Sequence, residues 1–207
     1  MSTPSEITPA LHAGAAIYND GQYHDAHDAW ESVWLELDSG TDRDLLQGLI
    51  QFTGAIYHGT DKNWKGTSGL ASSALTYLDG LSATHRGVDL KPLRSYLDAL
   101  ASAPERIEDT DPPPIRIDDT IVTYDGLSFD AIAIAVRIVC TDTDDALLEQ
   151  AIQFGKNDRD DGRPTSPFIT LVIDLLVRDQ PAVVQQRLSE HVRRRRSKAD
   201  DVKNLFE

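Results

Sequence analysis

The chain of 207 residues has few of the residue types that form cross-links or span membranes. Its single cysteine, Cys140, excludes an intrachain disulfide and indicates a reducing compartment. The longest apolar runs, 129–140 and 168–177, are too short for a bilayer and contain charged residues. The first residues lack the basic and apolar pattern of a signal peptide. We therefore expect a cytoplasmic protein with no membrane partner.

Positive charge is also scarce. The chain has 6 Lys and 14 Arg against 26 Asp and 8 Glu, which gives a formal net charge of -14 and a pI of about 4.7. This charge disfavours nucleic acid and anionic membranes as main partners. An aspartate-rich, lysine-poor surface is typical of salt-loving archaea, where concentrated salt screens self-repulsion. We expect stability to fall when salt is removed.

The pattern of apolar and turn residues predicts a mainly α fold: a helical bundle, a small β-hairpin and a C-terminal helical extension. Five amphipathic helices are expected within residues 1–104, with Asp42, Asn63 and Asp89 at the starts of the third, fourth and fifth. Residues 105–126 are expected to form a linker with the hairpin near 115–124. Residues 127–207 return to a helical pattern, and this segment is expected either to cover the bundle or to form the surface of a homo-oligomer.

The most informative stretch is Gly21–Trp34, with the sequence GQYHDAHDAWESVW. Its aromatic and small residues recur every three or four positions, which predicts an amphipathic helix. His27 falls on the apolar stripe, while His24, Asp28 and Glu31 lie beside it, three or four residues from one another, so their side chains can meet. Because polar groups are costly to bury without partners, the sequence predicts a buried polar cluster that must be satisfied.

Four motifs follow one another at fixed spacing. They are Gly21-x-Tyr23-x-x-Ala26-His27-Asp28-x-Trp30-Glu31-x-x-Trp34, Leu46-Gln47-Gly48-Leu49-Ile50-Gln51, Ala55-x-Tyr57-His58 and Asn63-x-x-Gly66. Together they resemble the domain of unknown function 309 family over about residues 8–125. The resemblance implies an all-helical fold with a polar core cluster, and it brings no established activity.

One hypothesis for the cluster is a divalent metal site. His27 and Glu31 lie one helical turn apart, and His58 on the next helix could complete a three-ligand face that leaves room for water. His24 and Gln51 are further candidate ligands. A site of this kind would favour metal-assisted hydrolysis.

Two other hypotheses use the same residues. In the first, His27, Glu31, Gln47, Gln51 and His58 form a buried hydrogen-bond network that fixes the helices and binds nothing. In the second, the polar groups recognise a small molecule between walls formed by Trp30, Trp34 and Tyr57. The sequence leaves all three open.

The basic run Arg193–Arg196 is the one positive cluster of the chain. It could contact RNA, DNA or an acidic partner, or it could stabilise the end of its own helix and pair with the acidic body. The turn and helix around Gly21 also resemble one unit of a tetratricopeptide-type repeat. This favours a second class of function, a non-catalytic module that binds a peptide or a second copy.

Overall fold

A computed structural model describes residues 4–163, 165–178 and 180–204 of the chain, with side chains for 6–163, 165–178 and 180–198. The described chain contains helices α1 Pro4–Asn19, α2 Tyr23–Trp34, α3 Thr41–Thr60, α4 Trp64–Leu78, α5 Leu90–Ser102, α6 Phe129–Val139, α7 Asp145–Asp160, α8 Pro167–Val177 and α9 Pro181–Asn204. It also contains strands β1 Thr84–His85, β2 Val88–Asp89, β3 Arg116–Ile117 and β4 Thr120–Ile121, and short 3-10 helices at Pro104–Glu108 and Tyr124–Gly126. The predicted mainly α fold is confirmed.

The chain divides into two compact units, Met1–Leu127 and Ser128–Glu207. The first holds α1 to α5 and the sheet, and β2 pairs across the predicted boundary at residue 104 with β3. The second holds α6 to α9. The division into residues 1–104, 105–126 and 127–207 that the sequence suggested stays a prediction. None of the described helices is long and apolar enough to cross a membrane.

Helices α1 to α5 of the first unit pack against one another in sequence order, and α3 has α2 on one side and α4 on the other. The buried face of α3 repeats every three or four residues, as the helical period requires, through Leu45, Leu46, Leu49, Phe52 and Ile56. This face forms the centre of the core and fixes the position of α2.

The helix starts follow local capping chemistry. Asn63 accepts a hydrogen bond from the backbone N–H of Gly66 at the start of α4, and Asp89 accepts one from Lys91 at the start of α5, as predicted. Asp42 was predicted to cap α3, and this was wrong. The helix begins at Thr41 with Gly40 as N-cap, and Asp42 lies inside the first turn, where it binds Arg86 instead.

The sheet of the first unit is antiparallel with the strand order β1-β2-β3-β4. The predicted hairpin is present as β3 and β4, joined by Asp118 and Asp119, which both have positive φ. The β1–β2 hairpin was not predicted, and its turn, Arg86–Gly87, also has positive φ at both residues. Two-residue turns of this kind match the twist of short antiparallel strands.

One side chain joins the sheet region to α1. Asn19, the last residue of α1, donates from Nδ2 to the carbonyl oxygens of Ile115 and Val122, both at 2.9 Å, and accepts from the Ile115 N–H at 2.8 Å. The neighbouring Tyr18 hydroxyl donates to the carbonyl of Pro113 at 2.9 Å. The hairpin is thus held at the end of α1 that leads into α2.

In the second unit α8 packs against α6, α7 and α9. In this unit the buried Asp158 of α7 accepts a hydrogen bond from Arg195 at 2.6 Å and forms an ion pair with Arg163 at 2.9 Å. The guanidinium of Arg195 also lies over the rings of Phe154 and Phe168, at 5.0 and 5.4 Å from their centroids. One member of the basic run therefore serves the core of its own unit.

Candidate functional site

Helix α2 places its small and aromatic residues against the bundle. Ala26, Ala29 and Trp30 are buried, and the indole N–H of Trp30 donates to the carbonyl of Leu11 at 3.3 Å. A Cβ atom at Gly14 of α1 would overlap the Trp30 ring, so the absence of a side chain there lets the two helices approach. Trp30 is therefore part of the core and cannot form a wall of a ligand pocket, as one hypothesis had it.

The two nitrogens of His27 have different neighbours. Nδ1 lies in hydrogen-bonding position to the backbone carbonyl oxygen of His24, one turn earlier. Nε2 lies 2.9 Å from Oδ1 of Asp28. The His27 side chain is 27% exposed, so the ring lies at the edge of the core with one face toward solvent.

Three ligand atoms converge at this place. One each from His27, Asp28 and Glu31 lie within 4.8 Å of one another, and this is the one group of three or more candidate metal ligands in the described part of the chain. His27 and Glu31 are a turn apart on α2, as predicted. Asp28 lies in the same motif, where it was expected to be able to meet His24 and Glu31, but it was not among the predicted ligands.

The hydrogen bond at Nδ1 determines what Nε2 can do. A carbonyl oxygen only accepts, so Nδ1 must carry the proton of that bond. Nε2 then either carries a second proton and donates to Asp28, or is unprotonated and presents a lone pair toward a carboxylate. The ring is therefore oriented with Nε2 toward the Asp28 carboxylate, where it can donate a hydrogen bond or act as a metal ligand.

The predicted burial is wrong for His24 and Glu31. His24 and Glu31 are exposed, and only His27 of the three is partly covered. The reason is the rotation of about 100° per residue on a helix, which turns these positions to the solvent edge once Ala26 and Trp30 face the bundle. The site is a surface site on α2.

His24 contacts the next helix through its ring. Its centroid lies 5.0 Å from that of His27 and 4.8 Å from that of Tyr57 on α3, both in edge-to-face geometry. Its Nδ1 lies 3.6 Å from the carboxylate of Asp25. His24 thus connects the site to α3 through aromatic contacts, while its backbone carbonyl orients His27.

His58 lies outside the group of three ligand atoms. Its Nδ1 is 3.0 Å from Nδ2 of Asn63, and its ring is 6.1 Å from Tyr57. Because His58 is in the last turn of α3, it faces the start of α4, where Asn63 caps the helix. The metal set His27, Glu31 and His58 stays a prediction, and the geometry favours Asp28 in place of His58.

The glutamines of α3 do not join the histidines. Gln47 and Gln51 are half-buried, and no hydrogen bond between either of them and His27 or His58 occurs among the described residues. The Oε1 atom of Gln51 is buried without a partner in the described structure. The predicted continuous network across α2 and α3 is therefore replaced by local pairs.

The end of α2 is closed by an arginine. Arg43 donates to the carbonyl of Trp34 at 2.7 Å and to that of Leu37 at 2.5 Å, and its guanidinium lies 4.2 Å from the centroid of the Trp34 ring. A cation at the C-terminal end of a helix is also favoured by the helix dipole. This explains why α2 ends at Trp34 and covers an indole that the pocket hypothesis had left open.

Comparison with known families places the site within a matching segment. Residues 11–70 match the family model described as Domain of unknown function (DUF309). No curated protein matches the chain. The match supports the family resemblance over most of α1, all of α2 and α3 and part of α4, which includes every predicted site residue. It is shorter than the span of residues 8–125 expected from the motifs.

Proposed function

We propose that this protein binds a divalent transition-metal ion on the exposed edge of α2, with His27 Nε2 and the carboxylates of Asp28 and Glu31 as its ligands. The observation that carries the proposal is the convergence of these three ligand atoms within 4.8 Å. Its second support is the hydrogen bond from Nδ1 to the His24 carbonyl, which orients Nε2 toward the carboxylates.

The ligand types narrow the class of metal. One imidazole nitrogen with carboxylate oxygens suits zinc, manganese or iron better than a soft ion such as copper(I). The two carboxylates supply a charge that balances a divalent cation. Histidine ligands in metal proteins commonly donate their other ring N–H to a carbonyl, as His27 does to His24.

Three protein ligands leave coordination positions open. Asp28 and Glu31 are exposed, so these positions would face solvent and could accept water or a small molecule. An ion in such a site supplies Lewis acidity. The residues around it support this chemistry by orientation: the backbone of His24 fixes the ring, and Tyr57 packs against the ring of His24.

The second candidate function is a non-catalytic structural or interaction module. It is favoured by the local pairs His27–Asp28 and His58–Asn63, which satisfy one another without any ligand. Leu35 is 65% exposed and Tyr57 41% exposed, so α2 and α3 also present apolar surface that a partner helix or a second copy could cover.

Metal titration separates the two candidates. Protein purified without a nickel column is titrated with zinc and manganese by calorimetry, alongside the variants His27→Gln, Asp28→Asn and Glu31→Gln. Loss of even an outer-shell partner weakens metal binding about tenfold or more, so loss of a ligand should weaken it at least as much. Asp25→Asn, on the same helix but outside the group, and His58→Gln should bind as the unchanged protein does.

Two results would contradict the proposed metal site. One is the absence of saturable binding to the unchanged protein. The other is a loss in the His58→Gln variant as large as in the Asp28→Asn variant, which would restore the original ligand set. With no binding and unchanged melting, the module function would be favoured.

The composition of the chain supports a proposal about its medium. Aspartate supplies 26 of the 34 acidic residues, and the chain has one cysteine. These features favour a reducing, salt-rich cytoplasm, where screening relieves the self-repulsion of a strongly negative chain.

A further inference from the structure

Basic residues are concentrated in the second unit. Residues 128–207 carry 12 Lys and Arg against 14 Asp and Glu, whereas residues 1–127 carry 8 against 20. Much of this positive charge lies on α9. On that helix Arg187, His191, Arg194 and Lys198 follow one another at steps of four, three and four, so they share one face. An acidic protein thus presents one cationic helix face.

A groove of about 580 Å³ lies along this face. Its lining residues are Arg163, Phe168, His191, Arg194, Arg195 and Lys198. All of them belong to the second unit, and five of the six carry or can carry positive charge. We refer to this feature as the α9 groove.

The inner part of the α9 groove is preorganised. Arg195 is held by the buried Asp158 at 2.6 Å and by the rings of Phe154 and Phe168. Arg163 is held by the same carboxylate at 2.9 Å and by Asp161 at 2.6 Å. The Arg195 guanidinium is therefore held in position, and the 55% exposed Arg163 is oriented by two carboxylates. Each guanidinium has five N–H donors, of which these acids use only some.

The outer part of the groove has the surplus charge. Arg194 is 70% exposed and reaches Glu190 only at 3.7 Å. Lys198 is exposed, with no ion pair among the described residues, and His191 lies edge-on to Phe168 at 6.2 Å. These groups can turn toward an anion at little cost, since a loose exposed ion pair contributes little to stability.

We propose that the α9 groove binds a small organic phosphate of about mononucleotide size. The guanidinium groups of Arg163 and Arg195 and the exposed ends of Arg194 and Lys198 supply charge-assisted donors for the phosphate oxygens. Phe168 is nearly buried and forms the floor of the groove beneath Arg195 and His191, so recognition depends on the phosphate group. The volume of about 580 Å³ lies within the range typical of small-molecule sites.

The size and charge of the protein favour a compact anion over a nucleic acid strand. A strand would extend beyond one groove, and the net charge of -14 would oppose its approach. A small phosphate lies within the local positive field of the groove. The distant acidic residues affect it less, because salt screens their electrostatic effect beyond about one Debye length.

The test uses calorimetric titration of the full chain with ADP, pyrophosphate and adenosine at moderate salt. ADP and pyrophosphate should bind, and adenosine, which lacks phosphate, should not. The double variant Arg194→Gln/Lys198→Gln should weaken binding of ADP by at least about tenfold, because two charge-assisted hydrogen bonds are lost.

The matched control is Arg193→Gln/Arg196→Gln, which removes two charges from the same helix but from the neighbouring groove against α7. The affinity of this control for ADP should stay within about twofold of that of the unchanged protein, because the two charges that it removes are screened by solvent and salt. Melting temperatures of both double variants check the fold. If the first is destabilised, Lys198→Gln alone provides the comparison, with an expected loss of about threefold or more.

Three results would overturn the proposal. The first is the absence of binding by both ADP and pyrophosphate. The second is an equal loss in the two double variants, which would show that only the charge of α9 matters. The third is tighter binding of a single-stranded oligonucleotide than of ADP, with both pairs of residues contributing, which would identify α9 as a nucleic-acid surface.

Discussion

The imidazole of His27 is oriented by the backbone of its own helix, through the carbonyl oxygen of His24. This relationship directs Nε2 toward Asp28 on the same helix, at 2.9 Å. The three candidate ligands consequently lie within five residues of one another in sequence, and α2 alone determines their geometry. The bundle contributes by holding α2 in place through Trp30.

The contact between Gly14 and Trp30 leads to the first prediction. Gly14→Ala should destabilise the first unit by about 1–3 kcal/mol, because the new methyl group overlaps the buried indole and forces α1 and α2 apart. The measurement is urea denaturation followed by tryptophan fluorescence.

The matched control is Gly69→Ala in α4. A Cβ atom at Gly69 meets nothing within 4 Å, so this change should stabilise the protein by about 0.5–1 kcal/mol through helix propensity. Destabilisation by both substitutions to a similar extent would contradict the close approach of α1 and α2.

The second prediction concerns Asp42 at low pH. Arg86 donates to Asp42 from Nε and Nη2, both at 2.6 Å, and these bonds hold the pKa of the Asp42 carboxyl below its ordinary value of 3.8. A lowered pKa means that the stabilisation is present above pH 3.8 and is lost as the pH falls through the folded-state pKa. Asp42→Asn should therefore lower the free energy of unfolding by about 1–2 kcal/mol at pH 7.

The difference between the Asp42→Asn variant and the unchanged protein should shrink as the pH falls from about 3.8 through the lowered pKa of the folded state, because the unfolded chain takes up a proton first and the folded carboxyl follows. Urea denaturation at pH 7 and pH 3 measures this difference in the free energy of unfolding. Asp44→Asn, in the same first turn of α3, controls for the helix dipole. A cost for Asp42→Asn that is equal at both pH values would show that the ion pair with Arg86 contributes nothing.

The third prediction concerns the buried carboxylate of the second unit. Burial acts to raise the pKa of Asp158, but hydrogen bonds from Ser166 and Arg195 outweigh it, so the pKa lies below its ordinary value and the group is ionised. Asp158→Asn leaves Arg195 without its partner ion and should lower the free energy of unfolding by about 3 kcal/mol.

The control for Asp158 is Glu149→Gln, which removes an exposed pair with Arg137 in the same unit. Because exposed ion pairs contribute little, it should cost less than about 1 kcal/mol. Urea denaturation followed by circular dichroism compares the two variants. Similar losses in the free energy of unfolding would mean that the buried Asp158 stabilises the second unit no more than an exposed ion pair does.

The architecture was largely predictable because its signals are local. Caps such as Asn63 and Asp89, and apolar faces such as that of α3, specify helices from their own residues. The β1–β2 hairpin was missed because two-residue strands are too short to show alternation, and the Arg86–Gly87 turn lacks the strongest turn sequences.

The site was predictable only in part. Spacing identified His27 and Glu31 as neighbours, since helical geometry fixes that relationship. The choice between Asp28 and His58 depended on the rotation of α2 about its axis, which is set by the packing of Trp30 against Gly14. The adjacent pair His27–Asp28 in the motif was the sequence signal that could have identified Asp28 as a candidate ligand.

The long-range partners could not be predicted. Asp158 meets Arg195 across 37 residues, and Asp42 meets Arg86 across 44. Nothing in the spacing of these residues points to their contact. The inward position of Arg195 also separates it from the other members of the basic run, which the sequence presents as one uniform cluster.

The most direct test of the central claim is a crystal structure of the protein soaked with manganese or zinc, with the ion located by anomalous scattering. The account predicts one ion within about 2.0–2.3 Å of His27 Nε2 and of an oxygen from each of Asp28 and Glu31. An ion held by His58 without contact to Asp28, or no ion beside His27 at millimolar metal, would contradict it.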